Sequence, residues 1–223
     1  MNQPKTYRSQ IFRNFKAMNP AEFRKVVHFY ERHEKDVLSL DFEEYFEMLV
    51  SYTNALFEIA EYRKHLLMAD AVVETSIIEN VSYINGEEIF RSTLFRKAAS
   101  FYNLFDYKKA IYVLQELLKM EPTDASSRHF LERCLRADRP QLARHARAAA
   151  IALFLSAALT VFVDVVLTRH FLPEMSPFLG KIWLSMFSAG LFVLIGGKML
   201  QRLRARRQVQ RFVNEAKAHK FKN

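Results

Sequence analysis

The spacing of apolar positions divides the chain into two regimes. Up to about residue 140, apolar residues recur every three or four positions between polar ones, which marks helices with one buried face. Asn19, Pro20 and Glu22 form a helix-start signature, and Phe23, Val26, Val27 and Tyr30 follow at helical spacing. Asp41 and Glu44 repeat the signature ahead of Tyr45, Leu49, Tyr52, Leu56 and Ile59, which share one face. A further helix is predicted over residues 62–78, with Leu66, Leu67, Ala69, Val72 and Val73 turned inward. Residues 79–88 break the pattern, and Asn85-Gly86 is a turn signal. Helices are then predicted over about 87–104 and 107–120. Pro122 stops the second, and another restarts near Thr123 or Asp124 and ends by Pro140. Residues 1–18, basic and aromatic, read as an irregular or partly helical lead-in.

The second regime is different in kind. Residues 148–167 carry Asp164 as their only charge, and residues 182–200 carry only Lys198. At a rise of 1.5 Å per residue each stretch covers roughly 28–30 Å, the thickness of a bilayer's hydrocarbon core. Neither has the polar stripe of a helix at the surface of a soluble protein. The expectation is a transmembrane hairpin over 148–200, with spans at 148–169 and 178–200. A short link containing Pro173 and Pro177 forces the two spans antiparallel. Arg136, Arg139, Arg144 and Arg147 precede the first span. Lys198, Arg202, Arg204, Arg206, Arg207 and Arg211 follow the second, while the link holds Arg169 and Lys181. The positive-inside rule then puts both termini in the cytoplasm, as in a bacterial inner-membrane protein.

Residues 91–124, RSTLFRKAASFYNLFDYKKAIYVLQELLKMEPTD, resemble a tetratricopeptide repeat. The resemblance lies in Ala98 and Phe101 of a first helix, Asp106-Tyr107 at the turn, Ala110 and Leu114 of a second helix, and Pro122 at its close. Leu94, Phe105 and Leu117 depart from the family's usual Trp, Gly and small residue. A degenerate copy surrounds Glu61-Tyr62, with His65 at a small-residue position, and residues 125–136 fit the first helix of a third. The resemblance implies a stack of helix pairs in which Ala98, Tyr107, Ala110, Leu114 and Pro122 are packing residues. It also implies a concave surface for a protein or peptide partner and no catalysis.

Charge sharpens this picture. The net +9 is not spread evenly: residues 1–147 hold 22 Lys/Arg against 21 Asp/Glu, whereas 198–223 hold nine against Glu215 alone. The basicity therefore belongs to the tail, 201–223, where Leu203, Val209, Phe212, Val213 and Ala216 fall on one side of a helix continuing from the second span. Such a basic amphipathic helix is expected on anionic headgroups, through Arg202, Arg204, Arg206, Arg207 and Arg211. Nucleic acid is the less favoured partner, because the tail has no recognised binding fold. Within the spans, Ala148, Ala152, Ser156, Thr160 and Asp164 recur every fourth residue, and Ser185 and Ala189 form a shorter ridge. Small ridges suit helix packing, within the hairpin or between two copies of the chain. Asp164, toward the outer edge, reads either as an interfacial acid paired with Arg169 or Lys181 or as an ion ligand.

Catalytic patterns are absent. No nucleotide-binding glycine loop or paired metal-ligand spacing occurs, and the seven histidines are scattered. Cys134 is the single cysteine; Arg133 and Arg136 could lower its pKa, but with no paired base it reads as a structural thiol. The expected architecture is all-α: a cytoplasmic helical-repeat domain over 19–140, the hairpin, and the basic tail helix. No cofactor or metal is expected. The expected role is a membrane-anchored, non-enzymatic scaffold whose aromatic positions Phe101, Tyr102 and Tyr112 contact a protein partner. The alternative is an oligomerising, channel-like hairpin regulated by the helical domain.

Overall fold

The computed structural model describes residues 9–84, 86–138, 141–168 and 176–220; side chains at 141–143, 167–168, 176–180 and 219–220 are outside the description. The chain divides into two compact units, one ending at Cys134 and the other beginning at Leu135.

The first unit runs α1 (Gln10–Lys16), α2 (Phe23–Arg32), α3 (Glu34–Val37), α4 (Phe42–Glu58), α5 (Tyr62–Ile78), a hairpin of β1 (Tyr83–Ile84) and β2 (Glu87–Glu88), α6 (Ile89–Asn103), α7 (Tyr107–Met120) and α8 (Ala125–Asp138). Helices α4, α5, α6 and α7 each pack on the next, and α2 packs on α4. Consecutive helices thus stack on one another, the arrangement that the repeat resemblance implies. Two expectations shift. The helix expected from Pro20 starts only at Phe23, because Asn19 spends its side chain on a turn, accepting from the Ala21 N–H at 3.0 Å. The break at 79–88 is not featureless: Tyr83 pairs with Glu88 and Ile84 with Glu87 in an antiparallel ribbon. Asn85 lies outside the described residues, and Gly86 adopts φ +82°, a conformation that favours glycine.

Short connections are made possible by one repeated device. Helices α4, α5 and α6 each end with a residue in the left-handed conformation: Ala60 (φ +64°), Asn80 (φ +53°) and Phe105 (φ +62°). In each case the following N–H reaches back five residues to a carbonyl. Glu61 donates to Leu56, Val81 to Ser76 and Asp106 to Phe101, all at 2.9 Å. This satisfies a terminal carbonyl and reverses the chain. None of the three is glycine, so each stores backbone strain. Asp106 then caps α7, accepting from the Lys109 N–H at 3.3 Å.

The largest core side chains, Phe12, Phe46, Met48, Leu49, Leu56 and Ile89, interlock α1, α4 and α6. Tyr30 of α2 stacks on Tyr52 of α4 with ring centroids 4.1 Å apart, and the Tyr52 hydroxyl donates to Glu31, which also pairs with Lys64 of α5. Ala69 and Val72 of α5 are buried as expected, but Leu67 is 67% exposed. The inward position one half-turn away is taken by His65.

In the second unit, α9 (Gln141–Val163) continues as a π-helical segment (Asp164–Thr168), and α10 (Ser176–Lys220) is one unbroken helix of 45 residues. At 1.5 Å per residue α10 is roughly 67 Å long. Link residues 169–175, with Arg169 and Pro173, lie outside the described residues. Pro177 falls in the first turn of α10, where its missing N–H costs no helical bond. Helices α9 and α10 pack closely at two glycines. A Cβ on Gly190 would lie 2.8 Å from the Phe154 ring, and one on Gly197 would overlap the Ala146 methyl group; Gly196 has nothing within 4 Å. Both helices are long and apolar enough to cross a membrane.

Two outcomes follow from this packing. Ala60→Gly should raise the denaturation midpoint of the chain without changing the slope, a gain of up to about 1 kcal/mol, because a left-handed alanine is relieved. Gly197→Val should lower thermal stability in detergent by several degrees through overlap with the Ala146 methyl group, whereas Gly196→Ala should leave it unchanged. Equal effects at the two glycines would contradict the described seam.

Candidate functional site

A groove of about 550 Å³ runs along α6 in the first unit. Arg91, Ser92, Phe95, Arg96 and Ala99 line it from α6, one helical face at spacings of three and four. Phe57 closes it from the end of α4, Glu87 and Glu88 from the β-hairpin, and Asp124, Ser126 and Ser127 from the start of α8. Its floor is apolar and aromatic, and its walls are polar. Phe95 leans on Phe130 of α8 with ring centroids 5.5 Å apart.

The wall charges are committed in pairs. Arg91 bonds Glu121 and faces Asp124 at 3.6 Å and Glu88 at 3.9 Å, while Arg96 bonds Glu87 at 2.8 Å. Burial tends to raise the Asp124 carboxyl, but hydrogen bonds from Ser127 and Ser126 at the start of α8, with the Arg91 charge, hold it below the ordinary carboxylate range. The same competition, with Arg96 prevailing over burial, lowers Glu87. The groove walls thus stay charged and preorganised.

Behind the groove, His65 of α5 and Ser100 of α6 form a buried hydrogen bond of 2.8 Å between Nδ1 and Oγ, both side chains being fully inaccessible. The imidazole also packs on Phe57, ring centroids 5.3 Å apart. Nε2 meets no hydrogen-bond partner among the described residues. A charged imidazolium would need two acceptors here and would find one. Burial first, then the Arg96 and Lys97 charges, push the His65 pKa down to about 4. The small-residue position of the degenerate repeat is therefore filled by a neutral ring tied to the next helix.

The packing residues named from the repeat resemblance are placed as follows. Ala98, Ala110 and Leu114 are fully buried, and Pro122 is buried. Tyr107 sits at the turn against Tyr102 and Phe105. The three aromatic contact candidates do not share a surface. Tyr102 is half-buried against Phe130 and beneath the Arg133 guanidinium, Phe101 carries the Lys109 ammonium over its ring, and only Tyr112, 63% exposed on α7, is free-standing. The groove residues Phe57, Phe95 and Ala99 were not singled out from sequence. The signal was available: Ser92, Phe95 and Ala99 recur at spacings of three and four and so share one face of α6. Cys134 is fully buried, and burial pushes its thiol up to about 12, opposite to the lowering that the flanking arginines alone suggest. Among the described residues no three His, Cys, Asp or Glu side chains converge as a metal-binding set.

In the second unit Asp164 is buried at the start of the π-helical segment, and Ser156 and Thr160 are half-buried, each hydroxyl donating to the carbonyl four residues back. Ala152, Ser185 and Ala189 face outward. The seam between α9 and α10 runs instead through Ala146, Ala150, Phe154 and Ala157 opposite Gly190 and Gly197. Along the tail, Arg202, Arg204, Arg206, Arg207 and Arg211 are exposed, but Val209, Val213 and Ala216 of the apolar stripe are buried and thus not open to lipid.

No protein-family profile and no curated protein matches the chain. Two solved structures are similar in shape, both of a putative kinesin light chain from Podospora anserina with nearly identical TPR-like repeats. One is 13% identical, covers 94% of this chain and 91% of its own, and has a TM-score of 0.42; the other is 13% identical, covers 92% and 97%, and has a TM-score of 0.38. The local helix-pair geometry, not these loose superpositions, carries the functional reading.

The His65 environment makes stability depend on pH. The folded pKa lies below the unfolded value near 6.5, so the unfolded state takes up a proton first as pH falls. The contribution of the neutral ring is complete above about pH 6.5 and is lost between there and about pH 4, at most roughly 3 kcal/mol. Denaturation curves at pH 7 and pH 4.5 should therefore diverge for the wild type and converge for His65→Gln. An unchanged pH difference in that variant would contradict the assignment.

Proposed function

We propose that the protein is a membrane-anchored scaffold. Its TPR-like head holds a segment of another protein in the α6 groove, and the α9–α10 hairpin fixes it to a bilayer. The anchoring rests on one observation. In the most apolar stretches of the two helices only 17% and 6% of residues are buried, although these helices pack on each other. A soluble core helix of this length is mostly covered; here Ile151, Leu155, Leu159, Phe162, Phe187 and Phe192 are exposed. Exposed apolar area of this extent is stable only against lipid or another apolar surface. The excess of Arg and Lys at both ends of the hairpin favours termini on the cytoplasmic side. The binding role is supported by the preformed groove, whose aromatic floor and neutralised walls suit an extended peptide. No side-chain constellation supports catalysis as the purpose of the groove.

One feature favours the second reading, a channel-like hairpin: Asp164 is buried inside the apolar segment at a π-helical irregularity. Ion flux in vesicles that disappears in Asp164→Asn would establish it and displace the scaffold reading.

Alkaline extraction of membranes should leave the full chain with the bilayer. A photo-crosslinking residue at Phe95 should then trap one discrete protein that the same residue at Tyr112 does not. Release by alkali would refute the anchor, and identical adducts from both positions would refute the groove.

A further inference from the structure

We propose that Arg144, Arg147, Lys198 and Arg202 form one binding site for the phosphodiester of an anionic phospholipid, at the end of the hairpin where its apolar surface stops. The inference rests on the membrane reading above and names the lipid chemistry that the anchor selects.

The seam fixes the register. Because a Cβ on Gly197 would overlap the Ala146 methyl group, these two residues lie at the same height on α9 and α10. At 1.5 Å per residue, Arg147 and Lys198 sit within roughly 2 Å of that level. Arg144 lies about 3 Å and Arg202 about 7.5 Å beyond it, away from the apolar belt. Helical phase then brings Arg147 and Lys198 to one side. Arg147 is turned about 100° from Ala146, and Lys198 about 100° from Gly197. On two antiparallel helices these rotations open on the same flank. Arg202, about 140° from Gly197, and Arg144, about 160° from Ala146, stand on the outer sides of α10 and α9 and border that flank through their long side chains.

All four side chains are exposed, and among the described residues none makes an ion pair. Along the two helices the acids Asp164 and Glu215 are each about 27 Å from the Ala146–Gly197 level, and the nearest carboxylate before α9 is Asp138, two residues from Arg136, whose carbonyl accepts from the Gln201 side chain at 3.0 Å. In the first unit Arg91, Arg96 and Lys64 are held in ion pairs. One carboxylate leaves most of this positive charge uncompensated, and an anion held at that depth would offset it. The headgroup phosphate is the anion found there, and long Arg and Lys stems reach it while lying along apolar surface. A headgroup without a compensating amine is preferred over a zwitterionic one.

The same geometry sets the tail apart. Helix α10 continues without a break after the hairpin, so along its axis Arg207 and Arg211 lie about 15 and 21 Å past Gly197. The headgroup zone is only about 5–7 Å deep on each side. These arginines leave the bilayer along the helix axis and do not lie on its surface.

The test uses the full chain in a mild non-ionic detergent, with native mass spectrometry counting bound dioleoyl phosphatidylglycerol, dioleoyl phosphatidylcholine or inorganic phosphate. The expected result is retention of phosphatidylglycerol over phosphatidylcholine. That preference should fall about tenfold or more in the combined Arg144→Gln, Arg147→Gln, Lys198→Gln and Arg202→Gln variant. It should stay within about twofold in Arg204→Gln, Arg207→Gln, Arg211→Gln, and persist in Arg147→Lys, which keeps the charge and controls for folding. Equal binding of the two lipids, equal loss in the tail variant, or equal capture of inorganic phosphate would overturn the site. So would salt-sensitive oligonucleotide binding that the four-fold variant abolishes. A chain that stays soluble without detergent would instead refute the membrane reading, and the two failures are told apart by that observation.

Discussion

The close approach of α9 and α10 is the constraint on which the second unit depends. Gly190 and Gly197 admit Phe154 and Ala146 to the backbone of the partner helix, so the helices meet along a narrow seam of small residues. A narrow seam buries little, and the broad apolar faces that remain have no protein cover. In water such a hairpin would expose more apolar surface than folding could offset. In lipid, van der Waals packing at small residues is sufficient to hold it. The proposed anchor, its orientation and the cation cluster at its end all follow from this one geometric economy.

The first unit solves a different problem, that of bringing consecutive helices close with loops of only a few residues. Left-handed residues at Ala60, Asn80 and Phe105 reverse the chain, and buried small side chains at Ala98 and Ala110 let the helices approach. Where the first pair meets the second, His65 replaces a small residue and is tied to Ser100. The resulting stack presents one face of α6 to a groove whose charges are already paired, so a ligand meets a surface that needs little reorganisation.

Sequence reading was accurate where a local pattern decides the outcome. The limits of α5 and α7 follow directly from apolar periodicity, and the two apolar stretches from length and charge. It was less accurate where position in three dimensions decides. The sequence put His65 at a small-residue position of the degenerate repeat, but its tie to Ser100 and its packing on Phe57 depend on how the helices meet. The left-handed strain at Phe105 showed only as a missing glycine. The every-fourth-residue ridge from Ala148 to Asp164 drifts around a helix of 3.6 residues per turn, so Thr160 and Asp164 turn toward α10 while Ala152 faces outward. The groove is lined from α6 by Phe95 and not by Phe101 or Tyr102, because a repeat pattern marks aromatic positions on the helices without showing which face borders a concavity.

The anchor can be tested through a built-in probe, since Trp183 is the only tryptophan of the chain and lies in the apolar part of α10 opposite the cationic end. Its fluorescence should be measured with the full chain in vesicles of lipids brominated at graded depths along the acyl chain. The account predicts quenching by acyl-chain bromine, strongest for the shallow positions, and little quenching by aqueous iodide. Efficient iodide quenching with no response to any brominated lipid would contradict it.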